Sequence, residues 1–382
     1  MIVLAFLSAA IWIYLIVARG GFWRAADRDE PIVDVSPSPW PSVVAVVPAR
    51  NEAEVIARAV TSLLGQDYPG PLRIVVVDDS STDMTTGEAL AAAQSRGRGT
   101  DLTIVPGTPL PAGWTGKLWA LHQGIEAAGS TEPTYYWLSD ADITYESDTL
   151  RTMVMRATKD KLVAVSLMAR LRCESLAERM LIPAFIFFFQ MLYPFRWVRR
   201  PGSRTAAAAG GCILVARTAL TEIGGIGSIR GALIDDCTLA ARLKGDGGSI
   251  WLGLTSRAQS IRIYDHFDDI RRMVARSAYA QLRYSPLMLL GTVLGMTVVY
   301  VAPPAIALLG PAPASYVAAV VWIAMTLAYV PTLRFYASSW LWAPLLPIIA
   351  LCYTAFTLDS AIQHTLGRGG LWKGRVQASR SA

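Results

Sequence analysis

Long apolar runs occupy both ends of the chain, and shorter ones recur through its middle. Residues 1–18 contain no charged side chain, and neither do residues 286–333, where glycine and proline at 310–313 interrupt the run. Each half of this second run approaches the length of about 20 residues that a helix needs to cross a bilayer. The pattern predicts an N-terminal membrane anchor over residues 1–20 and two spanning helices after residue 286.

A third apolar run, residues 335–358, carries two prolines, Pro344 and Pro347. Arginines directly follow the N-terminal run, and positive charge favours the cytoplasmic side of a membrane. We therefore expect a multi-pass protein of the inner (cytoplasmic) membrane whose residues 19–285 face the cytosol. A third complete span would put the basic tail, residues 361–382, on the opposite side. The proline-bearing run within the C-terminal membrane segment, residues 286–360, is therefore predicted to be re-entrant.

Between residues 40 and 285, short β-rich runs alternate with helical stretches. The predicted strands are 43–47, 73–77, 102–105 and 135–138, and the predicted helices are 52–64, 85–93 and 117–128. This alternation predicts an α/β domain with a mostly parallel, Rossmann-like, doubly wound sheet. Ligands bind such sheets beyond the carboxyl ends of the strands, which is where the polar clusters of this chain fall.

Two segments near residues 181–200 and 268–284 combine an apolar body with several arginines. Such segments are predicted to lie in the headgroup plane of a membrane. For the first of them, an ordinary core helix is the alternative.

The composition supports membrane association, because 53% of the 382 residues are hydrophobic and 17% are charged. The net charge of +6 is explained by arginines that flank the apolar runs. Basic and aromatic residues do not interleave as they do in nucleic-acid-binding proteins, so we expect no nucleic-acid partner. The four cysteines show no CxxC spacing, which disfavours a structural zinc site or a disulfide framework.

The strongest chemical signal is a pair of carboxylates, Asp140 and Asp142, directly after the fourth predicted strand. On an extended backbone the two side chains would point to the same side. Together they could hold Mg²⁺ or Mn²⁺, because such cations take oxygen ligands and complete their shell with water and substrate phosphates. A chance surface turn is the alternative.

Polar residues also follow the first two strands. Asp78 and Asp79 come after the second strand, where a carboxylate can accept hydrogen bonds from a nucleotide base or ribose. Pro48, Arg50 and Glu52 follow the first strand in the same way. Turns that begin helices are the alternative for both clusters.

A glycine turn at 113–117 presents Lys117, a cation suited to a diphosphate. It is not a phosphate loop of the Walker type, because Pro111 occupies the first glycine position and Leu118 follows the lysine. A solvated loop lysine is the alternative.

A third acidic pair, Asp235 and Asp236, begins a helical stretch, where the helix dipole alone would favour carboxylates. A buried carboxylate near an acceptor hydroxyl could instead act as a general base. Upstream, Gly210, Gly211 and Cys212 form a small-residue stretch that permits close approach of a substrate. A plain loop is the alternative there.

Taken together, these clusters resemble the family 2 glycosyltransferases of GT-A fold over about residues 42–285. The turn with Trp114, Lys117 and Trp119 and the tail segment 367–375 look closest to hopanoid-associated glycosyltransferases, which are related to the ceramide glucosyltransferases. The resemblance implies an inverting, metal-dependent hexosyltransferase that uses a nucleotide-sugar, commonly a UDP-sugar.

The resemblance also implies roles for individual residues. Asp79 would contact the nucleotide base and Lys117 the diphosphate, while Asp140 and Asp142 would bind the nucleotide and the metal. Asp236 would be the catalytic base, and Asp235 stands where the family more often has glutamate.

One departure concerns the Gln-x-x-Arg-Trp motif of processive members. Arg283 and Tyr284 could stand for its last two residues, but Ala280 occupies the glutamine position and Gln281 is out of register. We therefore expect transfer of a single sugar to a lipid hydroxyl, of a hopanoid or of another polycyclic or sphingolipid-like acceptor. A polyprenyl-phosphate sugar transferase is the alternative, followed by a membrane transporter or scaffold with a vestigial nucleotide fold.

Overall fold

The computed structural model describes residues 1–32, 36–372 and 375–376. Residues 373–374 and 377–382 of the predicted basic tail therefore lie outside the described residues. An eight-stranded sheet organises the middle of the chain, in the order β3-β2-β1-β4-β7-β6-β8-β5. Its strands are β1 Val43–Ala49, β2 Leu72–Asp78, β3 Leu102–Pro106, β4 Tyr135–Ser139, β5 Ile143–Tyr145, β6 Ala164–Arg170, β7 Cys212–Ala216 and β8 Ile250–Ser260.

The sheet is mixed rather than mostly parallel. Strands β3, β2, β1 and β4 run parallel, as the sequence predicts. Strand β7 runs antiparallel to both of its neighbours, β4 and β6. The sequence prediction misses this reversal because a strand's direction depends on its partner and not on its own apolar pattern.

Helices cover both faces of the sheet, and this explains the unbroken apolar runs of its central strands. All seven residues of β1 are buried. The helices around the sheet are α2 Ile56–Leu64, α3 Thr85–Ser95, α4 Gly116–Ala128, α5 Thr149–Lys159, α6 Leu176–Leu192, α7 Phe195–Arg199, α8 Arg217–Glu222, α9 Asp235–Gly245, α10 Phe267–Ala275 and α11 Ala278–Gln281.

Two predicted helices differ from the observed ones. Helix α2 begins at Ile56 and not at residue 52, because residues 52–55 form a turn in which the Glu52 amide donates to Thr85 Oγ1 at 2.8 Å. The predicted segment 268–284 forms two short helices, α10 and α11, separated by a turn.

Helix α6 is mostly buried, including Leu181, Ile186 and Phe187, which have no exposed surface. It contacts α10, the N-terminal segment and the C-terminal helices. The core-helix alternative therefore describes its packing better than a free interfacial helix does. Its depth relative to a bilayer remains a prediction.

The ends of the chain form apolar helices. Helix α1 spans Ile2–Ile13 and continues as a π-helical turn to Ala18. The segments Pro286–Leu309, Ala314–Phe335 and Trp340–Thr365 are each long and apolar enough to cross a membrane. They contain α12 Pro286–Met296, α13 Ala302–Leu309, α14 Ala314–Phe335 and α15 Leu346–Thr365, and the predicted break at 310–313 separates α13 from α14.

The contacts of these helices define two ends of the bundle. Near its start, α1 packs at Ala5 against Ala302 and Ala314. At its other end, Arg19 Nε donates to the Met191 carbonyl of the α6 segment at 3.0 Å. Helix α1 thus runs from the end of the bundle that holds the 310–313 turn to the end that faces the sheet.

The segment after α14 contacts the sheet side at both of its ends. At its start, Ser338 Oγ lies 3.5 Å from Cys173 Sγ. Its middle reaches back along α14, where Trp322 Nε1 donates to the Pro344 carbonyl at 3.1 Å. At its far end, His364 stacks on Tyr284 with ring centroids 4.2 Å apart. This path agrees with a re-entrant segment, although re-entry into a membrane remains a prediction. A segment of this shape would put the basic tail on the side of the sheet.

We expect cysteines introduced as Ser339→Cys and Arg368→Cys to react with a membrane-impermeant maleimide from the same side of the membrane. Pro311→Cys should react from the opposite side, because the 310–313 turn lies at the other end of the bundle. The protein without introduced cysteines is the control for labelling of the four native cysteines. Labelling of residues 339 and 368 from opposite sides would instead show three complete C-terminal spans.

Candidate active site

A cavity of about 600 Å³ opens at the carboxyl ends of β1 and β4. It brings together most of the site residues that the sequence predicts, although they lie far apart along the chain. Those on its wall are Pro48, Glu52, Lys117, Asp140, Asp142, Gly210, Gly211, Asp235 and Asp236.

Lys117 is the central cation of the cavity. Thr115 caps α4 by accepting a hydrogen bond from the Leu118 amide, which holds Lys117 in the first turn of the helix. Its Nζ lies 2.8 Å from Asp140 Oδ1 and 3.2 Å from Asp235 Oδ2. Burial alone would lower the pKa of Lys117, but the charges of Asp140 and Asp235 outweigh burial and raise it. Lys117 is therefore protonated at any physiological pH.

Asp236 lies in the first turn of α9, and backbone amides hold its carboxylate. Its Oδ2 accepts from the Gly210 amide at 2.8 Å, and its Oδ1 accepts from the Cys237 amide at 2.7 Å. Burial and the neighbouring charge of Asp235 raise the pKa of Asp236 to about 6, against the opposing effect of Lys117. The group is ionised at neutral pH and still basic enough to accept a proton, as a general base requires.

Gly210 allows this close arrangement. A Cβ at this position would lie 3.1 Å from Lys117 Nζ and 3.3 Å from Asp236 Oδ2. A side chain there would force the lysine or the carboxylate to move. The close approach at Gly210 is thus between parts of the chain itself, and the predicted close approach of a substrate stays a prediction.

Asp140 and Asp142 both face the cavity, but not by the geometry that alternation predicts. Strand β4 ends at Ser139, and the backbone then turns, with the Ile143 amide donating to the Asp140 carbonyl at 3.4 Å. Asp140 keeps 35% of its side-chain surface exposed although it lies deep in the molecule, because the cavity is open to solvent. Burial raises the pKa of Asp140, and Lys117 opposes this rise.

Arg262, just beyond β8, is a site residue that the sequence analysis did not identify. Its Nε lies 2.6 Å from Asp142 Oδ2, and its Nη2 lies 2.8 Å from Glu52 Oε1. Burial alone would lower the pKa of Arg262, but Asp142 and Glu52 outweigh it and raise the pKa. Arg262 thus provides a second cation for the cavity, next to the carboxylate predicted to bind a metal.

The carboxylates of Asp140 and Asp142 fit a divalent cation that arrives with a diphosphate. Asp140 pairs with Lys117 through Oδ1, and Asp142 pairs with Arg262 through Oδ2. Each carboxylate therefore has a second oxygen that takes no part in these ion pairs. Within the described residues, no group of three or more His, Cys, Asp or Glu side chains is gathered around a possible metal position. A cation here would therefore complete its shell with water and phosphate oxygens, as Mg²⁺ commonly does.

The residues after β1 and β2 form a network beside the cavity. Asp78 accepts from the Ser81 amide and from Thr86 Oγ1, both at 3.0 Å, and so stabilises the turn before α3. Asp79 is completely buried, and Arg50 Nη1 lies 3.7 Å from its Oδ2. Arg50, Asp78 and Asp79 are not among the described side chains on the cavity wall. Their predicted contact with a nucleotide stays untested.

Three further predicted residues are not on the cavity wall. The Cys212 side chain packs in the core, with its Sγ 3.4 Å from Trp137 Nε1, because alternation in β7 points it to the same face of the sheet as Leu214. Arg283 and Tyr284 adopt positive φ angles of 52° and 55° in the turn before α12. Tyr284 packs on His364 of α15, so it supports the membrane segment and not the site.

Gln281, which is out of register with the processive motif, contacts a tyrosine that follows α6. Its Nε2 donates to Tyr193 Oη at 2.6 Å. Burial raises the pKa of Tyr193, and the charges of Cys237 and Asp236 add to the rise. Neither Gln281 nor Tyr193 is among the described side chains on the cavity wall.

One wall of the cavity is apolar and comes from the two segments, near residues 181–200 and 268–284, that the sequence predicts to lie in the headgroup plane. Phe185 and Phe189 of α6 and Met273 of α10 line it, together with Arg272 and Arg276 at the same side. Helices α6 and α10 both contact α15. The polar floor of the cavity thus meets an apolar wall that is continuous with the apolar C-terminal helices.

Comparisons with known proteins agree with this architecture. Residues 44–224, slightly less than half of the chain, match the family described as Glycosyl transferase family 2. An N-acetylglucosaminyltransferase of Rhizobium leguminosarum bv. viciae is 39% identical over 84 residues, which are 22% of this chain and 20% of that protein. The beta-monoglucosyldiacylglycerol synthase of Synechocystis sp. is 35% identical over 122 residues, which are 32% of this chain and 24% of that protein.

The chain therefore spans a quarter or less of the length of these two curated relatives. A solved structure extends the likeness to nearly the whole chain. The mannosyltransferase PcManGT from Pyrobaculum calidifontis, in complex with GDP-Man and Mn²⁺, aligns with a TM-score of 0.54 at 21% identity, covering 94% of this chain and 99% of that one. The mixed α/β sheet is accordingly GT-A-like in fold, and residues 44–224 are similar to the family 2 glycosyltransferases.

Proposed function

We propose that the protein is a membrane-bound, inverting glycosyltransferase that moves one sugar from a nucleotide-sugar to a lipid hydroxyl. The observation that carries this proposal is that Asp236 lines a cavity in which a polar floor meets an apolar wall. A base at this boundary suits an acceptor whose reactive hydroxyl is polar and whose body is apolar.

The polar side of the cavity suits the donor. Lys117 and Arg262 supply two positive charges near Asp140 and Asp142, and preorganised cations stabilise the charge that develops on a departing diphosphate. Mg²⁺ or Mn²⁺ held by Asp142 and Asp140 would add Lewis-acid neutralisation of the same charge. The aligned mannosyltransferase is in complex with GDP-Man and Mn²⁺, which supports a donor of this class. A hexose on uridine diphosphate is our proposal for this chain.

The apolar side of the cavity suits a lipid acceptor. Phe185, Phe189 and Met273 line it, and their helices pack against the apolar C-terminal segment. One relative is named as a synthase of a glucosylated diacylglycerol, which supports a lipid as acceptor class. A hopanoid or another polycyclic or sphingolipid-like acceptor, in an inner membrane with the domain in the cytosol, completes the proposal.

In this reaction the acceptor hydroxyl gives its proton to Asp236, and its oxygen attacks the anomeric carbon of the donor. The bond between that carbon and the diphosphate oxygen breaks, and its electron pair leaves with the nucleoside diphosphate. Lys117 remains protonated and offsets the added negative charge. Attack from the side opposite the leaving group inverts the anomeric configuration.

Replacing Asp236 with Asn removes the base but keeps the side chain's size. We expect transfer of a labelled sugar to extracted lipid to fall by roughly 1,000-fold, while nucleotide binding stays within about twofold of wild type. Asp246→Asn, an exposed change at the end of the same helix, is the matched control and should leave transfer unchanged.

The same variant separates the two acceptor classes. A polyprenyl phosphate is already ionised and needs no base, so near-normal transfer by Asp236→Asn would support a phosphate acceptor over a hydroxyl. If the wild-type protein binds no nucleotide, transfer to either class of acceptor is contradicted.

The pKa of about 6 for Asp236 predicts that kcat/KM rises with pH and reaches half of its plateau near pH 6. The sign follows because the base works only when it is ionised. Asp235→Asn removes the neighbouring negative charge that helps to raise this pKa, so the rise should move to lower pH. An unchanged profile in Asp235→Asn, with Asp246→Asn again as the control, would assign the titration to another group.

Arg262 and a divalent cation would compete for Asp142. We therefore expect Arg262→Gln to bind Mn²⁺ roughly 10-fold more tightly than wild type, the size expected for a charge-assisted hydrogen bond of about 1.5 kcal/mol. Asp142→Asn should weaken binding by at least about 10-fold. The electron paramagnetic resonance signal of free Mn²⁺, titrated without nucleotide, measures both. Weaker binding by Arg262→Gln would show that the arginine positions the carboxylate instead.

A further inference from the structure

A second cavity, of about 480 Å³, adjoins the catalytic one. Leu171 and Ser260 line both cavities, so the two share a wall. Three arginines from two parts of the chain line the second cavity, which also contains apolar side chains. The arginines are Arg58, Arg170 and Arg172, and the apolar residues include Leu171, Ile261 and Ile263.

The three arginines differ in their partners. Arg172 is neutralised by ion pairs with Glu174 at 2.9 Å and with Glu178 and Asp265, each at 3.1 Å. Among the residues that the structure describes, neither Arg58 nor Arg170 lies within 4.0 Å of a carboxylate oxygen. Arg170 is partly buried, whereas Arg58 is exposed. Arg58 and Arg170, unlike Arg172, can therefore pair with an anion that enters the cavity.

The cavity lies at the end of a predicted membrane span. The Arg170 guanidinium lies 5.8 Å from the ring centroid of Tyr336, the residue that follows α14. Cys173, on the cavity wall, lies 3.5 Å from Ser338 in the next turn. Ile263, also on the wall, is 59% exposed. If α14 crosses the bilayer, the mouth of the cavity is at the depth of the lipid headgroups.

We propose that this second cavity binds the phosphate of an anionic membrane lipid through Arg58 and Arg170. Arginine matches a phosphate group with paired N–H donors. The apolar part of the wall, with Ile261 and Ile263, favours a lipid over a free anion, because a free phosphate would gain nothing from it. The site rests on membrane association alone and does not depend on sugar transfer.

The test measures the thermal unfolding midpoint of the purified full chain in neutral detergent. Phosphatidylglycerol, phosphatidylcholine and inorganic phosphate are each titrated separately. Wild type is compared with Arg58→Gln/Arg170→Gln and with a charge-matched control, Arg73→Gln/Arg96→Gln, whose arginines are exposed on β2 and at the end of α3. The unfolding midpoint without lipid shows whether each variant is folded. If the double variant is not folded, the single variant Arg58→Gln is tested in its place.

We expect phosphatidylglycerol to raise the midpoint of wild type and of the control saturably, with little effect from phosphatidylcholine. In the double variant the apparent affinity for phosphatidylglycerol should fall roughly 30-fold, the value for two arginines that contribute about 1 kcal/mol each. An equal response to phosphatidylcholine, or an unchanged affinity in the double variant, would overturn the site. An equal rise with inorganic phosphate would show a free-anion site and overturn the lipid assignment. None of these outcomes bears on Asp236, so the lipid site and the transferase proposal fail independently.

Discussion

The ammonium group of Lys117 is the interaction on which the catalytic cavity depends. Three carboxylates, Asp140, Asp235 and Asp236, lie around it and come from two separate elements of the chain. Like charges so close together repel, and burial makes each of them more costly. One buried cation offsets this repulsion and leaves Asp236 less acidic than an ordinary aspartate while still ionised at neutral pH. Removing the lysine would therefore alter the protonation of the whole group and not one contact alone.

The sheet makes this charge cluster possible. Strand β4 runs parallel to β1 and antiparallel to β7, so the end of β4 and the start of β7 meet at one edge. That edge places Asp140 beside Gly211, and the Asp140 amide donates to the Gly211 carbonyl at 3.3 Å. Helices α4 and α9 begin at the same edge, and their first turns carry Lys117 and Asp236. The polar groups converge because buried strands end there, and the backbone must turn where solvent is accessible.

Much of the fold and part of the site could be predicted from local sequence. The apolar runs of β1, β2 and β4 are continuous because both faces of the sheet are covered, so their positions were confirmed within two residues. Arg262 could not be predicted, since it reaches Asp142 across 120 positions through the pairing of β5 with β8. The turn at Asp140 and the reversed β7 likewise depend on partners distant in sequence. Cys212 illustrates the same limit, because its side chain packs in the core although the residue before it, Gly211, lies on the cavity wall.

The contacts of α15 have a consequence for how the protein can be studied in parts. Tyr353 donates to the Leu181 carbonyl at 2.8 Å, and Phe356 packs on Phe267 with centroids 5.2 Å apart. Helices α6 and α10, which carry the apolar wall of the catalytic cavity, therefore rest on α15, within the last of the three long apolar segments. A fragment that ends before residue 286 would lack this support and would expose Phe188, which is packed against Tyr353. The apolar C-terminal helices thus support the wall of the catalytic cavity and are not a detachable part of the chain.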